Sequence, residues 1–159
     1  MKPEREIGKL LIQNGHTLAV AESCTGGLIA HRITNVPGSS NYFERAFVAY
    51  SNRSKTELLG VRPQMITRHG AVSSDVARAM AGGARRQAGA DFGLAVTGIA
   101  GPISDESKKN VGLVYIAACG PDGLARSKRH RFRGTRLQIK KQSADAALAL
   151  LITTIRSRR

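Results

Sequence analysis

The chain has 159 residues, of which 42% are hydrophobic, so we expect a single domain over residues 1–159 with one core. Its 25 Lys and Arg residues against 11 Asp and Glu residues give a net charge of +14, which favours anionic partners. The charged first residues argue against a secretory signal, and no apolar run approaches the roughly 20 residues of a membrane span. We therefore expect a cytoplasmic protein with no membrane partner.

Side chains that form disulfides or bind metals are few and scattered. Cys24 and Cys119 are far apart, and the four histidines show no metal-ligand spacing. We therefore expect no disulfide framework, no metal and no cofactor.

Much of the positive charge lies in residues 126–133 and 156–159. A phosphorylated nucleotide would match this charge, and so would nucleic acid, although a basic stretch is most often only a solvated surface. Aromatic residues make up 4% of the chain, which leaves little material for base stacking and argues against nucleic acid. The sequence is compatible with a homo-oligomer but does not indicate one.

The first predicted elements place Ser23 at a turn. Apolar residues recur at helical spacing over residues 4–14, and Gly15 is a typical helix end. Residues 18–22 form a short apolar run that predicts a buried strand, and a helical pattern begins at residue 25 and continues to 34. Ser23 therefore lies between a strand and a helix.

Such a turn suits an anion or an oxyanion. The first backbone N–H groups of a helix have no partners within it, and Gly26 and Gly27 allow a ligand to approach them closely. The ordinary alternative is that Ser23 or Thr25 only caps the helix, which is worth about 1 kcal/mol, and that the glycines form a plain turn.

The middle of the chain predicts one strand and two helices. Residues 42–50 are β-prone and mostly apolar, which predicts a central strand. Ser51 and Asn52 are natural caps for a short helix over residues 55–59. A Ser-Ser-Asp sequence at 73–75 caps a longer helix that ends near residue 89.

The helix that ends near residue 89 contains the Gly82-Gly83 pair. Each of these glycines costs about 1 kcal/mol relative to alanine, so we expect close helix packing there.

The last predicted elements are three strands and a helix. Strands are predicted at 92–96, 111–118 and 124–133, the last two as a hairpin, and a long helix at 135–155.

This order of elements predicts an α/β fold, a three-layer α/β/α sandwich with a mixed β-sheet. Ligands bind such sheets beyond the carboxyl ends of strands, near a topological switch. Ser23 and Thr97 both follow predicted strands, so one cleft can contain both turns.

Four spaced motifs resemble those of one family, the CinA C-terminal domain or nicotinamide-nucleotide amidase family, in its stand-alone form. The resemblance extends to about residue 151 and rests on these segments: Ala-Glu-Ser-Cys-Thr-Gly-Gly at 21–27, Phe-Val-Ala-Tyr-Ser-Asn at 47–52 with Lys55, Gly-Ala-Val-Ser at 70–73 and Val-Thr-Gly-Ile-Ala-Gly-Pro at 96–102. It implies hydrolysis of nicotinamide mononucleotide to nicotinate mononucleotide and ammonia, in pyridine-nucleotide salvage.

The resemblance also assigns roles to residues. Ser23 corresponds to the nucleophile, Lys55 to its base, and Tyr50 to a residue that passes the proton or holds the lysine. The predicted substrate-binding residues lie in the two turns and at the start of the last helix: Thr25, Gly26, Gly27, Thr97, Gly98, Gly101 and Arg136, with Lys140 beside them. Without the resemblance, a lone lysine is usually a solvated charge and a tyrosine at a strand end is usually packing.

Two alternatives stay open. Cys24 is a rival nucleophile, because a thiolate at a helix N-terminus is activated, although free cysteine is more often inert packing. The loop at 103–110 departs from the Gly-Gly and Lys-Pro pattern usual in the family, and it borders the predicted site. A non-catalytic nucleotide- or nucleic-acid-binding module is therefore the alternative function.

Overall fold

A five-stranded mixed sheet forms the centre of the computed structural model, which describes residues 1–158. Its strands are β1 (Leu18–Glu22), β2 (Phe43–Val48), β3 (Phe92–Gly98), β4 (Leu113–Cys119) and β5 (Ala125–Arg131). They lie in the order β2-β1-β3-β4-β5. β1 is parallel to both of its neighbours, whereas β4 is antiparallel to β3 and to β5.

Helices cover both faces of this sheet. They are α1 (Pro3–Asn14), α2 (Leu28–Thr34), α3 (Asn52–Leu59), α4 (Pro63–His69), α5 (Ser74–Ala88) and α6 (Arg136–Arg156), with a short 3-10 turn at Ser39–Asn41. The larger core cluster lies between the sheet and α1, α2 and α6, and the smaller one between the sheet and α3 and α5. The predicted three-layer α/β/α sandwich is confirmed. No helix of this described region is both long and apolar enough to cross a bilayer.

The sheet corrects the predicted position of one strand, one helix was not predicted, and one expectation about packing is confirmed. The strand predicted as central is β2, which lies at an edge of the sheet, and helix α4 was not predicted. β2 has no buried residue and contains the exposed charged pair Glu44 and Arg45, which is typical of an edge strand, whereas the prediction rested on the apolar residues around that pair. Helix α4 likewise has no buried residue to give it an apolar pattern. The expected close packing occurs at Gly83, where a Cβ atom would overlap the backbone carbonyl of Leu59.

The sheet places three strand ends at one edge. Glu22 is in register with Val48 of β2 and with Val96 of β3, and all three strands run in the same direction. The Ser23 backbone N–H donates to the Val96 carbonyl at 3.1 Å, and the Ala49 N–H donates to the Glu22 carbonyl at 2.9 Å. The chain therefore leaves β1 at a topological switch point, flanked by the segments that follow β2 and β3.

Candidate active site

The turn that follows β1 holds Ser23, which is 7% exposed. Helix α2 begins at Leu28 rather than at residue 25 as predicted. The reason is local, since Gly26 and Gly27 have φ values of 60° and 104°, which a right-handed helix excludes.

The N-terminal amides of α2 are already occupied, which corrects the expectation that they are open to a ligand. The Glu22 carboxylate accepts from the backbone N–H groups of Ile29 at 2.9 Å and Ala30 at 3.0 Å. Glu22 has no exposed surface, so this carboxylate anchors the helix from inside the core. The sequence reasoning missed this role, although Glu22 lies within the first motif.

Other backbone donors of the turn stay available. Within residues 1–158, the backbone N–H groups of Cys24, Thr25 and Gly27 donate to no protein acceptor. The Thr25 hydroxyl is also buried without a partner in that region. Buried donors are nearly always bonded, so a turn with several free ones is suited to receive an acceptor from a ligand.

The side chain of Lys55 forms a hydrogen bond with the side chain of Ser23. Its Nζ lies 3.0 Å from Ser23 Oγ, 3.0 Å from the Ala49 carbonyl oxygen and 3.2 Å from the Tyr50 carbonyl oxygen. A capping box of Ser51 and Ser54 fixes the start of α3, and this places Lys55 one turn into the helix. Lys55 is 2% exposed, and no carboxylate of residues 1–158 forms an ion pair with it.

Burial lowers the pKa of Lys55 from 10.5 to about 8. A neutral amine has two N–H groups and one lone pair. The two carbonyl oxygens can only accept, so they take the two N–H groups and leave the lone pair for the Ser23 hydroxyl. The pair can therefore transfer a proton from serine to lysine.

Cys24 is not activated. Burial raises the pKa of its thiol to about 12, so the thiol stays protonated at neutral pH. Its side chain belongs to the larger core cluster. The geometry therefore favours Ser23 over the rival nucleophile.

The Tyr50 side chain does not contact Lys55. Its phenol is at the surface, 59% exposed, and accepts a hydrogen bond from Arg136 Nη2 at 3.0 Å. The same guanidinium donates from Nη1 to the Gly101 carbonyl at 2.7 Å. Tyr50 thus holds the lysine through its backbone carbonyl, while its phenol and Arg136 lie together at the mouth of the site.

A cleft of about 200 Å³ opens in front of the Ser23 and Lys55 pair. Its walls are formed by residues from the three strand ends, α3, the 70–73 turn and α6: Ser23, Cys24, Tyr50, Asn52, Lys55, Ala71, Val72, Thr97, Gly98, Ala100, Asp105 and Arg136. Larger hollows of about 690 and 370 Å³ lie between α2 and α6 and between α3 and α4, and neither is lined by Ser23 or Lys55. The smaller cleft is therefore the chemical candidate.

The other predicted binding residues differ in their positions, and Thr25, Gly26 and Gly27 do not line this cleft. Thr97 and Gly98 line it, and the Thr97 hydroxyl donates to the Ala71 carbonyl at 2.9 Å. Gly101 does not line it but positions Arg136. Lys140 approaches the turn, because its Nζ lies 3.7 Å from where a Cβ on Gly26 would be. Across residues 1–158, no group of three or more His, Cys, Asp or Glu side chains is arranged to hold a metal ion.

Known proteins resemble the chain over nearly all of its length. The family model of the CinA C-terminal domain matches residues 1–155. A competence-damage inducible protein of Moorella thermoacetica is 49% identical over 156 residues, which cover 97% of this chain and 37% of that protein. A CinA-like protein of Desulfosudis oleivorans is 55% identical over 124 residues, which cover 78% of this chain and 30% of that protein.

Solved structures agree with this assignment. Competence damage-inducible protein A from Klebsiella pneumoniae has a TM-score of 0.95 at 30% identity, and the match covers 99% of this chain and 98% of that one. A competence/damage inducible protein from Agrobacterium tumefaciens has a TM-score of 0.89 at 38% identity, covering 96% and 94%. The chain spans about a third of the length of the curated relatives it matches. The chain belongs to the CinA C-terminal domain family.

Proposed function

We propose that this domain is an amidase that hydrolyses nicotinamide mononucleotide to nicotinate mononucleotide and ammonia. The observation that carries the proposal is the buried Lys55, whose Nζ lies 3.0 Å from Ser23 Oγ and which forms no ion pair with any carboxylate of residues 1–158. An uncompensated buried lysine costs free energy, and such groups concentrate at sites that use their altered pKa. The substrate itself is implied by the family resemblance.

In the first half of the proposed reaction, neutral Lys55 takes the proton of the Ser23 hydroxyl while Oγ attacks the carboxamide carbon. The free N–H groups of Cys24, Thr25 and Gly27 then donate hydrogen bonds to the developing oxyanion. The lysine ammonium returns a proton to the amide nitrogen, the C–N bond breaks, and ammonia leaves. The Tyr50 phenol makes no hydrogen bond to Lys55, so we assign Tyr50 to holding the lysine through its backbone carbonyl.

The second half releases the product. The nicotinoyl group is now an ester of Ser23, and a water molecule attacks its carbonyl carbon while Lys55 accepts the water's proton. The ester C–O bond breaks, Ser23 Oγ regains a proton from Lys55, and the carboxylic acid dissociates to nicotinate. One amide and one water thus give one carboxylate and one ammonium ion.

Positive charge near the cleft supports a phosphorylated substrate. Arg136 is in the wall, and Lys140 is one helical turn farther along α6, beside the glycine turn. A volume of about 200 Å³ is smaller than the roughly 300 Å³ at which sites for drug-sized ligands begin. We therefore expect the carboxamide ring to enter the cleft while the ribose phosphate extends along the start of α6.

A non-catalytic nucleotide-binding module is the second candidate, and the net charge of +14 and the unusual 103–110 loop favour it. Such a module has no use for a buried lysine whose lone pair faces a serine hydroxyl. Release of ammonia from nicotinamide mononucleotide by the purified protein separates the two functions.

The decisive experiment compares Ser23→Ala with Cys24→Ala. Ser23→Ala should abolish ammonia release while nucleotide binding stays within a few fold, because the side chain is small and lies at a turn. Cys24→Ala should keep most of the activity. Full activity in Ser23→Ala together with its loss in Cys24→Ala would reverse the assignment of the nucleophile.

A further inference from the structure

The loop that departs from the family pattern carries a carboxylate to the cleft. Asp105 lines the cleft on which Ser23, Lys55 and Arg136 also border. No other Asp or Glu of residues 1–158 lines it. The 103–110 loop is expected from the sequence to border the site, but its local pattern assigns no role to Asp105 itself.

Hydrogen bonds hold this carboxylate in place. Asp105 Oδ1 accepts from the backbone N–H of Ser107 at 3.0 Å and from the Ser107 hydroxyl. Lys109 attaches the loop to the turn before α5, since its Nζ donates to the carbonyls of His69 at 3.0 Å and Val72 at 2.6 Å. Val72 itself lines the cleft, so the attachment fixes the loop against the cleft wall.

The charge of Asp105 is unusual in this protein. Seven of the 11 acidic side chains form ion pairs within residues 1–158. Glu22 and Asp91 instead bind backbone N–H groups of other segments. In this described part of the chain, Asp105 and its neighbour Glu106 have no cationic partner, although the net charge is +14.

The substrate of the proposed function carries a positive charge that could pair with Asp105. The nicotinamide ring of the mononucleotide is a quaternary pyridinium with a fixed positive charge, whereas its phosphate is negative. A cleft lined by both Asp105 and Arg136 complements both charges. The exposed Tyr50 ring, also in the wall, adds an aromatic face of the kind that attracts cations.

We propose that Asp105 is a specificity-determining residue that recognises the positive charge of the pyridinium ring, so that the cleft selects oxidised pyridinium carboxamides over neutral dihydropyridine carboxamides. This inference rests on the proposed function for the identity of the ligand. It assigns Asp105 to binding and not to proton transfer.

The test measures binding of nicotinamide mononucleotide and of its reduced 1,4-dihydro form, which has nearly the same shape but an uncharged ring. Ser23→Ala protein is used so that neither ligand is consumed, and dissociation constants are determined by titration calorimetry. The oxidised form should bind about tenfold more tightly, a difference equal to about 1.4 kcal/mol. This preference should shrink as salt is added, because salt screens charges at an open cleft.

Asp105→Asn in the same background should weaken binding of the oxidised form about tenfold and leave the reduced form unchanged. Glu106→Gln is the matched control, since it removes the neighbouring charge of a residue that does not line the cleft, and it should keep the preference. A contact of Asp105 with the ribose hydroxyls would weaken both ligands equally, and that result would overturn the inference. Equal affinity for the two forms in the parent protein, or binding of neither, would overturn it as well.

Failure of this inference is distinguishable from failure of the proposed function. If the protein with intact Ser23 releases ammonia but the preference does not depend on Asp105, only the inference is wrong. If no ammonia is released but Asp105→Asn abolishes the preference, the amidase proposal fails while charge recognition by Asp105 stands.

Discussion

Replacing Lys55 by Met tests whether burial destabilises the lysine's charge. Methionine has a similar length and no charge. In the folded protein burial lowers the pKa of Lys55 from 10.5 to about 8, so between these two pH values the unfolded chain holds a proton that the folded protein has lost. The stability of the unsubstituted protein, relative to Lys55→Met, should therefore rise with pH across this window. Below pH 8 the buried charge of Lys55 destabilises the folded protein by its full amount.

The size of the effect follows from the two pKa values. At 1.36 kcal/mol for each pH unit between them, the charged lysine costs the folded state about 3 kcal/mol. Partial titration at the ends of the range leaves a change of about 2.5 kcal/mol between pH 7 and pH 10. The absolute stability at one pH is less informative, because Lys55→Met also leaves the Ala49 and Tyr50 carbonyls without a donor.

Urea unfolding at pH 7, 8, 9 and 10 measures this change in both proteins. The difference between their unfolding free energies should vary by 2 to 3 kcal/mol across the series. Lys128→Met, at an exposed lysine of β5, controls for the loss of one lysine from the chain. A difference between the two proteins that stays constant within about 0.5 kcal/mol, the usual scatter for surface substitutions, would refute the reasoning.

Three further predictions concern the pH profile, the phosphate and the anchored helix. The kcat/KM for ammonia release should rise with pH around a midpoint near 8. Lys55→Arg should be nearly as inactive as Lys55→Ala, because a guanidinium cannot accept a proton. An active Lys55→Arg enzyme with an unchanged pH profile would show that Lys55 is not the base. Nicotinamide mononucleotide should have a much higher kcat/KM than nicotinamide riboside, since hydrogen bonds between charged groups are the stronger ones. Arg136→Ala should reduce the ratio of the two kcat/KM values. Equal kcat/KM values for the two substrates in the unsubstituted protein would show that the site makes no contact with the phosphate. Glu22→Gln replaces one carboxylate oxygen by an amide N–H donor that faces the backbone N–H groups of α2. It should lower the free energy of unfolding, measured by urea titration, by about 1 to 3 kcal/mol. Unchanged stability would contradict the anchoring role of Glu22.

Local patterns were sufficient to predict most of the elements. Helix ends at Gly15, Gly60 and Gly89 have the left-handed backbone that glycine tolerates. The apolar runs of β1 and β3 predict strands because both faces of these strands are covered. Where the apolar pattern is weak, as in α4, no element is predicted. In β2 the charged residues Glu44 and Arg45 are the signal for an edge position, and the apolar residues around them obscured it.

Local residue patterns are enough to place a serine at a glycine-rich turn after a buried strand, and the four motifs indicate the family. The chemistry of that turn depends on how the chain folds. The fold brings Lys55, 32 residues away, to Ser23, and burial there lowers the pKa of its amine to about 8. It also assigns the α2 amides to the Glu22 carboxylate and turns the Tyr50 phenol to Arg136. These outcomes depend on desolvation and on contacts between distant segments, which are properties of the folded chain and not of any local run of residues.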